Sequence, residues 1–206
     1  MVSVNSLLAL LATLISLIGI APLWPYLDRT PQLVLPLALV AGLIFDRRRE
    51  YPLSSRWATL ISLVCVAVYA ARISRTTLVE PVVNILALLL AVRLLTEKSG
   101  RNYLQIFVLA IFTLAGSTLL SLSIGFFVYL VLQVIMVTVG LVLLSFHTVD
   151  PQLVLARPQV KKVLGAALIL PAASLLSMFF FFAILPRTEH PLWNFLNPGA
   201  TSAAGF

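Results

Sequence analysis

The sequence predicts an all-α fold, a polytopic bundle of about seven transmembrane helices with its N-terminus inside the cell and its C-terminus outside. Three observations lead to this prediction: 61% of the 206 residues are hydrophobic, only 10% are charged, and the mean hydropathy is +1.07. A soluble domain has about a quarter of its residues charged, which keeps its surface hydrated. Most of the surface of this chain therefore requires lipid rather than water.

The helices are predicted from apolar runs. At a rise of 1.5 Å per residue, about 17 to 25 residues cross a hydrocarbon core of roughly 30 Å. The seven runs that reach or approach this length are Asn5 to Leu23, Pro31 to Phe45, Trp57 to Ile73, Leu78 to Leu95, Tyr103 to Leu122, Phe126 to Phe146 and Val163 to Leu185. The second run is the shortest and contains two prolines, so it is either a short tilted span, which we favour, or a re-entrant segment.

Prolines and glycines mark the expected boundaries. Pro22 and Pro25 should end the first helix, Pro81 should lie near the start of the fourth, and Gly125 should separate the fifth helix from the sixth. No Lys or Arg occurs in residues 1–6, so the first run lacks the basic segment of a signal peptide and should remain a membrane helix.

The basic residues predict the orientation, because Lys and Arg are retained on the cytoplasmic side during insertion. With the N-terminus inside, ten of the fourteen fall in cytoplasmic loops: Arg47, Arg48, Arg49, Arg56, Arg93, Lys98, Arg101, Arg157, Lys161 and Lys162. The other four, Arg29, Arg72, Arg75 and Arg187, fall outside. If the second run did not span the membrane, the basic loops after it would lie on the outer side or the N-terminus would lie outside. The distribution of charges therefore independently favours seven spans. Although the net charge is +7, no soluble module offers a clustered basic face, which excludes a nucleic-acid partner.

Polar residues within the runs are expected to have structural roles. Asn84, Gln105 and Gln133, together with the cluster Thr113, Gly116, Ser117 and Thr118, should form hydrogen bonds between helices and allow close packing. If Asn84, Gln105, Ser117 and Gln133 instead converged on a water-filled cavity, the chain would be a small transporter or channel.

Charged residues at the run ends also have structural explanations. Glu80 and Arg93 should complement the dipole of the fourth helix, with Glu80 alternatively pairing with Arg72 or Arg75. Arg93 and Glu97 are four residues apart, a spacing that predicts a local ion pair on one helix face.

The sequence predicts no catalytic, cofactor-binding or metal-binding residue, and no cofactor. Cys65 is the single cysteine and lies in an apolar run, which excludes an internal disulfide and a thiolate zinc site. His147 and His190 should lie on opposite sides of the membrane and cannot share a metal ion. Ser117 has no base within reach to activate it as a nucleophile.

The chain is expected to comprise a membrane domain, residues 1–186, and an extracytoplasmic tail, residues 187–206. The tail is richer in proline, asparagine and small residues, and Trp193 and Phe195 would suit the depth of the lipid headgroups. It leads toward a domain that is not in the sequence, so the chain is expected to be a fragment.

Two stretches carry a family resemblance. The first is RLLTEKSGRNYL, Arg93 to Leu104, followed by the fifth and sixth runs around Leu119 to Ser123. The second is FAILPR, Phe182 to Arg187, followed by Pro191-Leu192-Trp193. Together they resemble the N-terminal membrane region of bacterial transglutaminase-like membrane proteins, the TgpA family.

The resemblance implies a bacterial inner-membrane protein whose bundle anchors and orients an extracytoplasmic transglutaminase-like domain. Full-length relatives are enzymes of the protein-glutamine gamma-glutamyltransferase type with a Cys, His and Asp triad, but no residue of this chain matches that triad. Whether the chain is part of an enzyme therefore stays open. The expected partners are the lipid bilayer and either its own downstream domain or another envelope protein. A membrane scaffold for another envelope protein, suggested by the apolar tail, remains a further alternative.

Overall fold

The structure is a computed structural model that describes residues 2–48, 51–73, 78–120, 124–150 and 153–184. Within these ranges the all-α prediction is confirmed, and the chain forms helices α1 (Val4–Ile20), α2 (Arg29–Arg48), α3 (Ser55–Ala70), α4 (Val79–Leu94), α5 (Gly100–Leu120), α6 (Ile124–Val149) and α7 (Arg157–Ile184). A 3₁₀ helix, Ala21–Tyr26, follows α1. Two-residue strands, β1 (Val2–Ser3) and β2 (Val154–Leu155), pair antiparallel.

Five helical segments of the described chain are long and apolar enough to cross a membrane: Val4–Tyr26, Arg29–Asp46, Gly100–Leu120, Gly125–Val149 and Pro158–Phe181. The run that looked shortest in sequence forms one continuous helix, α2, of 20 residues. Helices α3 and α4 have 16 residues each, a length of about 24 Å at the α-helical rise. They are shorter than the hydrocarbon core, which is roughly 30 Å thick.

Local sequence explains several helix ends. The Ser3 side chain accepts a hydrogen bond from the backbone N–H of Ser6 and caps α1. Helix α1 stops at Ile20, before the two prolines expected to end it, and these lie within the 3₁₀ helix. Pro81 lies in the first turn of α4, as predicted, where its missing N–H breaks no helical hydrogen bond. Gly125 lies in the first turn of α6, which begins at Ile124, and the residues between α5 and α6 lie outside the described ranges.

Helices α1 and α4 form the interior of the bundle. Helix α1 packs against α2, α5 and α6, whereas α4 packs against α2, α3 and α5. Their buried residues join one hydrophobic cluster, with Leu8, Ile15, Ala87 and Leu90 fully buried. Large apolar side chains also cover the outside, for example Leu37 on α2, which is 70% exposed. An apolar exterior around an apolar core is what a membrane-embedded bundle requires.

Glycines allow two helix pairs to pack backbone to backbone. A β-carbon at Gly19 of α1 would lie 2.5 Å from the carbonyl oxygen of Ala110 in α5, and one at Gly42 of α2 would lie 2.9 Å from the carbonyl oxygen of Leu94 in α4. Neither site has space for a side chain. Small residues at such crossings are typical of membrane helices, because close packing replaces the hydrophobic effect there.

The loops gather at two opposite ends of the bundle. At one end, here named the polar end, β1 pairs with β2, and a bridge joins Leu53 before α3 to Thr96 after α4. At the opposite end, the side-chain oxygen of Asn84 in α4 accepts a hydrogen bond from the backbone N–H of Asp28 at 2.9 Å. The chain start and the α2–α3, α4–α5 and α6–α7 connections thus meet at one end, so helices α1 to α4 alternate in direction.

Contacts divide the chain into two compact units, Met1–Pro171 and Ala172–Phe206. Every contact given above lies in the first unit. The described part of the second unit is residues 172–184 at the end of α7, where Phe179, Phe180 and Phe181 are exposed. The boundary expected between residues 186 and 187, and the tail that follows it, lie outside the described residues.

Candidate functional site

The polar end of the bundle contains a buried ion pair between Asp46 and Lys98. Asp46 lies in the last turn of α2, and Lys98 lies in the loop between α4 and α5. The Lys98 ammonium group contacts Oδ2 of Asp46, and the exposed side-chain fractions are 0% for Lys98 and 6% for Asp46. The Tyr51 hydroxyl donates a hydrogen bond of 3.0 Å to the other carboxylate oxygen, Oδ1. Both carboxylate oxygens are therefore satisfied.

Burial also changes the acid–base behaviour of this pair. Loss of water lowers the pKa of the Lys98 ammonium group, and the neighbouring Asp46 carboxylate opposes that shift without cancelling it. A carboxylate in the last turn of a helix faces the negative end of the helix dipole, which is unfavourable without a cation nearby. Asp46 therefore depends on Lys98, and the two together fix the α4–α5 loop against the end of α2.

Next to the ion pair, Tyr103 connects three segments of the polar end. Its hydroxyl donates a hydrogen bond of 3.1 Å to Oδ1 of Asn5 at the start of α1. Its ring lies edge to face with the His147 imidazole near the end of α6, with ring centroids 5.8 Å apart. Nδ1 of His147 is buried and has no hydrogen-bond partner among the described residues. His147 is thus a buried residue of the polar end, in the last turn of α6.

A cavity of about 1050 Å³ opens at the polar end, here named the polar cavity. Its charged lining consists of Arg93, Lys98, Arg101 and Glu97, and His147 and Trp57 also line it. Lys98 is neutralised by Asp46. Two guanidinium groups thus remain against one carboxylate, a balance that favours an anionic ligand.

A second cavity of about 410 Å³, here named the apolar slot, shares Arg93 and Arg101 with the polar cavity. Between these arginines and the middle of α5 it is lined mainly by aliphatic side chains: Leu89, Leu104, Val108 and Leu109. Two polar residues, Ser62 and Gln105, also line it, and Ser62 Oγ and Gln105 Oε1 are buried without a hydrogen-bond partner among the described residues.

The polar residues that could have lined a transport path do not converge. Asn84 bonds Asp28 near the opposite end, and Gln105 lines the apolar slot. Gln133 lines a separate cavity of about 300 Å³ between α5 and α6, which Ser117 does not line. Four residues that would need to share one cavity therefore lie in separate places.

The expected hydrogen bonds between helices are replaced by other contacts at these residues: Asn84 accepts from the α1–α2 loop, and the α5 hydroxyls bond within their own helix. Each donates to a carbonyl three residues earlier in α5: Thr113 to Ala110, Ser117 to Leu114 and Thr118 to Ala115. The physical reason is that a hydroxyl on a helix reaches the preceding turn more easily than a neighbouring helix. Gly116 does lie at a close approach, since a β-carbon there would be 3.2 Å from Val83 of α4.

Charged residues at the helix ends follow the predictions in part. Glu80 lies in the first turn of α4 and Arg93 in its last turn, as expected from the helix dipole. The prediction of an ion pair between Arg93 and Glu97 on one helix face was wrong, because α4 ends at Leu94 and Glu97 lies in the loop that follows. Arg72 lies 3.7 Å from Asp28 of the α1–α2 loop, so Asp28 rather than Glu80 is its partner. Arg75 lies outside the described residues.

Among the residues that the structure describes, neither Cys65 nor His147 belongs to a recognised chemical centre. Cys65 is a free, half-buried thiol in the middle of α3. No group of three His, Cys, Asp or Glu side chains able to hold a metal ion occurs within the described ranges. His190 is not among the residues that the structure describes.

Asp46, Tyr51 and Tyr103 are the residues of the polar end that sequence reasoning missed. One signal was present, since an acidic residue at the end of an apolar run opposes the helix dipole and requires a buried or nearby cation. Nothing in the sequence identified Lys98, which is 52 residues away, as that cation.

The family model described as the TgpA N-terminal domain matches residues 11–206. Comparisons with curated proteins and with solved structures give no match.

Proposed function

Because the chain belongs to the TgpA N-terminal domain family, we propose that it is the membrane-embedded part of a larger bacterial envelope protein. In this proposal the bundle lies in the inner membrane and holds an extracytoplasmic transglutaminase-like domain, which performs the acyl-transfer chemistry. The family match and the apolar exterior of the helices support the membrane role. The enzymatic domain is proposed from the family alone.

The gathering of loops at two ends of the bundle is the observation that carries the proposal. The chain start and the α2–α3, α4–α5 and α6–α7 connections meet at the polar end, and nine of the eleven Lys and Arg residues that the structure describes lie in these connections or in the adjoining helix turns. Because basic loops stay in the cytoplasm, this arrangement supports seven crossings with the N-terminus inside. Helices α3 and α4 then cross despite their length, which membranes accommodate by local thinning and by flanking long side chains.

The anchor acts by orientation. An odd number of crossings brings the residues after α7 to the outer side, where the downstream domain would act on envelope substrates. Backbone contacts at Gly19 and Gly42 and the buried Asp46–Lys98 pair hold α1, α2, α4 and α5 in one arrangement.

Reporter fusions test the crossing number. A periplasm-active reporter fused after Phe206 should be active, whereas the same reporter fused after Arg48, at the polar end, should be inactive. A fusion after Ile73, at the opposite end, serves as the matched control and should be active. If the fusions after Phe206 and Arg48 report the same compartment, helices α3 to α7 cross the membrane an even number of times, which contradicts seven spans.

The link to an enzyme has a separate test in the genome. The reading frame should continue beyond Phe206 into a domain with Cys, His and Asp residues and then a last membrane span. A stop codon directly after Phe206 would contradict the anchoring role, while leaving the crossing number to the reporter fusions.

A further inference from the structure

The polar cavity and the apolar slot meet at Arg93 and Arg101, which line both. We propose that together they form a binding site for an anionic phospholipid, with the phosphate at the two guanidinium groups and an acyl chain in the slot. This inference goes beyond the anchoring role and does not depend on which compartment the polar end faces.

The charges of the site favour a phosphate group. Within the described residues, neither Arg93 nor Arg101 has an ionic or hydrogen-bond partner, whereas Lys98 is neutralised by Asp46. One carboxylate, that of Glu97, lines the same cavity. Two further titratable side chains, His147 and Tyr51, also line it. Guanidinium groups bind phosphate oxygens through two parallel hydrogen bonds, and basic pockets between membrane helices are known to bind anionic headgroups.

The position of the cavities fits the two parts of a lipid. Trp57 lines the polar cavity, and tryptophan side chains favour the depth of the headgroups. From Arg101 the slot follows α5 past Leu104 and Val108 to Leu109, a distance of about 12 Å along the helix axis. A charged headgroup region therefore continues directly into an aliphatic channel toward the hydrocarbon core.

An unpaired hydroxyl group in the slot favours a glycerophospholipid over free phosphate. Ser62 Oγ and Gln105 Oε1 are buried in the slot without partners among the described residues, and leaving such groups unpaired costs stability. The Ser62 hydroxyl can donate to an ester carbonyl, which lies between the phosphate and the acyl chain of a glycerophospholipid. Inorganic phosphate has no acyl chain to fill the aliphatic part of the slot.

The test measures lipid binding to the whole purified chain in a zwitterionic detergent by native mass spectrometry. The probes are phosphatidylglycerol, phosphatidylcholine with the same acyl chains, and inorganic phosphate. Phosphatidylglycerol should bind saturably at one site, more tightly than phosphatidylcholine. Substitution Arg93→Gln or Arg101→Gln should weaken that binding about tenfold, the factor expected for a lost hydrogen bond to a charged group. Ser62→Phe, which fills the slot without changing charge, should weaken it similarly.

Two control variants separate the site from general effects. Arg72→Gln removes an exposed arginine at the opposite end, and Leu63→Phe enlarges the neighbouring residue of α3, which is 68% exposed. Both should bind phosphatidylglycerol as the unmodified chain does. Arg101 is exposed, so Arg101→Gln should fold even if Arg93→Gln does not.

Three results would overturn the proposal. Equal affinity for the two lipids would exclude recognition of the anionic headgroup, and equal weakening by Arg72→Gln would indicate unspecific attraction to positive charge. Displacement of the lipid by inorganic phosphate, with Ser62→Phe without effect, would assign the site to a free anion. Reporter fusions measure none of these quantities, so a failure here leaves the crossing number untouched.

Discussion

Asp46 and Lys98 form a buried ion pair that joins the end of α2 to the loop between α4 and α5, across 52 residues of sequence. Burial makes this contact different from the other ion pair described above, Arg72 with Asp28, whose side chains are 64% and 48% exposed. Removing charges from water is costly, so a buried pair is stable only when both partners are present.

A double-mutant cycle tests the pair. Asp46→Leu or Lys98→Met alone should lower the free energy of unfolding by about 3 to 5 kcal/mol, because each leaves one charge buried without its partner. The double variant should recover a large part of that loss. Denaturant unfolding in mixed micelles gives the three values, and simple additivity of the single losses would contradict a direct interaction.

The corresponding cycle for Asp28→Asn and Arg72→Gln is the matched control. This pair is exposed, so its coupling should not exceed about 1 kcal/mol. A coupling as large as that of the buried pair would show that burial is not what strengthens the Asp46–Lys98 contact.

The lowered pKa of Lys98 predicts a pH dependence of stability. Between that lowered pKa and the ordinary lysine value of 10.5, the unfolded chain binds the Lys98 proton and the folded chain does not. The free energy of unfolding should therefore rise with pH in this window, at most by about 1.4 kcal/mol per pH unit. The difference between the unmodified chain and Lys98→Met isolates this contribution, and parallel pH profiles would refute it.

Gly19 should tolerate no side chain. Gly19→Ala places a β-carbon 2.5 Å from the carbonyl oxygen of Ala110 and should cost about 1 to 3 kcal/mol of stability through overpacking at the α1–α5 crossing. Gly165 in α7 has no atom within 4 Å of an added β-carbon, so Gly165→Ala should be neutral or stabilising by up to about 1 kcal/mol. Thermal unfolding of the two variants in detergent compares them, and equal midpoints would exclude tight backbone packing at Gly19.

Asn84 should matter more than Ser117 to the stability of the bundle. Asn84→Leu leaves the backbone N–H of Asp28 without its acceptor and should cost about 1 to 3 kcal/mol. Ser117→Ala removes a hydrogen bond from the Ser117 hydroxyl to the carbonyl of Leu114, within α5. Because that carbonyl group is part of the helix backbone and is not left without a helix around it, the substitution should cost less than about 1 kcal/mol. Unfolding measurements that reverse this order would show that Ser117 makes a contact between helices.

Hydropathy predicted the helices well because it is a local property. The apolar run from Pro31 to Phe45 became helix α2, and Glu80 and Arg93 lie in the first and last turns of α4 as the dipole requires. Prediction was less successful where a boundary depends on hydrogen bonding. The predicted ion pair between Arg93 and Glu97 is an example, because it required α4 to continue to Glu97. Helix α4 ends at Leu94 instead, and the Thr96 hydroxyl donates a hydrogen bond to the carbonyl of Arg93 in its last turn.

The sequence by itself determined that this chain is a membrane protein of helices, which family it resembles, and where most helices begin and end, because each of these depends on neighbouring residues. Only the tertiary structure decided that Lys98 pairs with Asp46, that α1 touches α5 at Gly19, and that Arg93 and Arg101 border two cavities at once. Such contacts depend on how helices distant in sequence cross, and side-chain shape and charge at those crossings leave no periodic pattern along the chain.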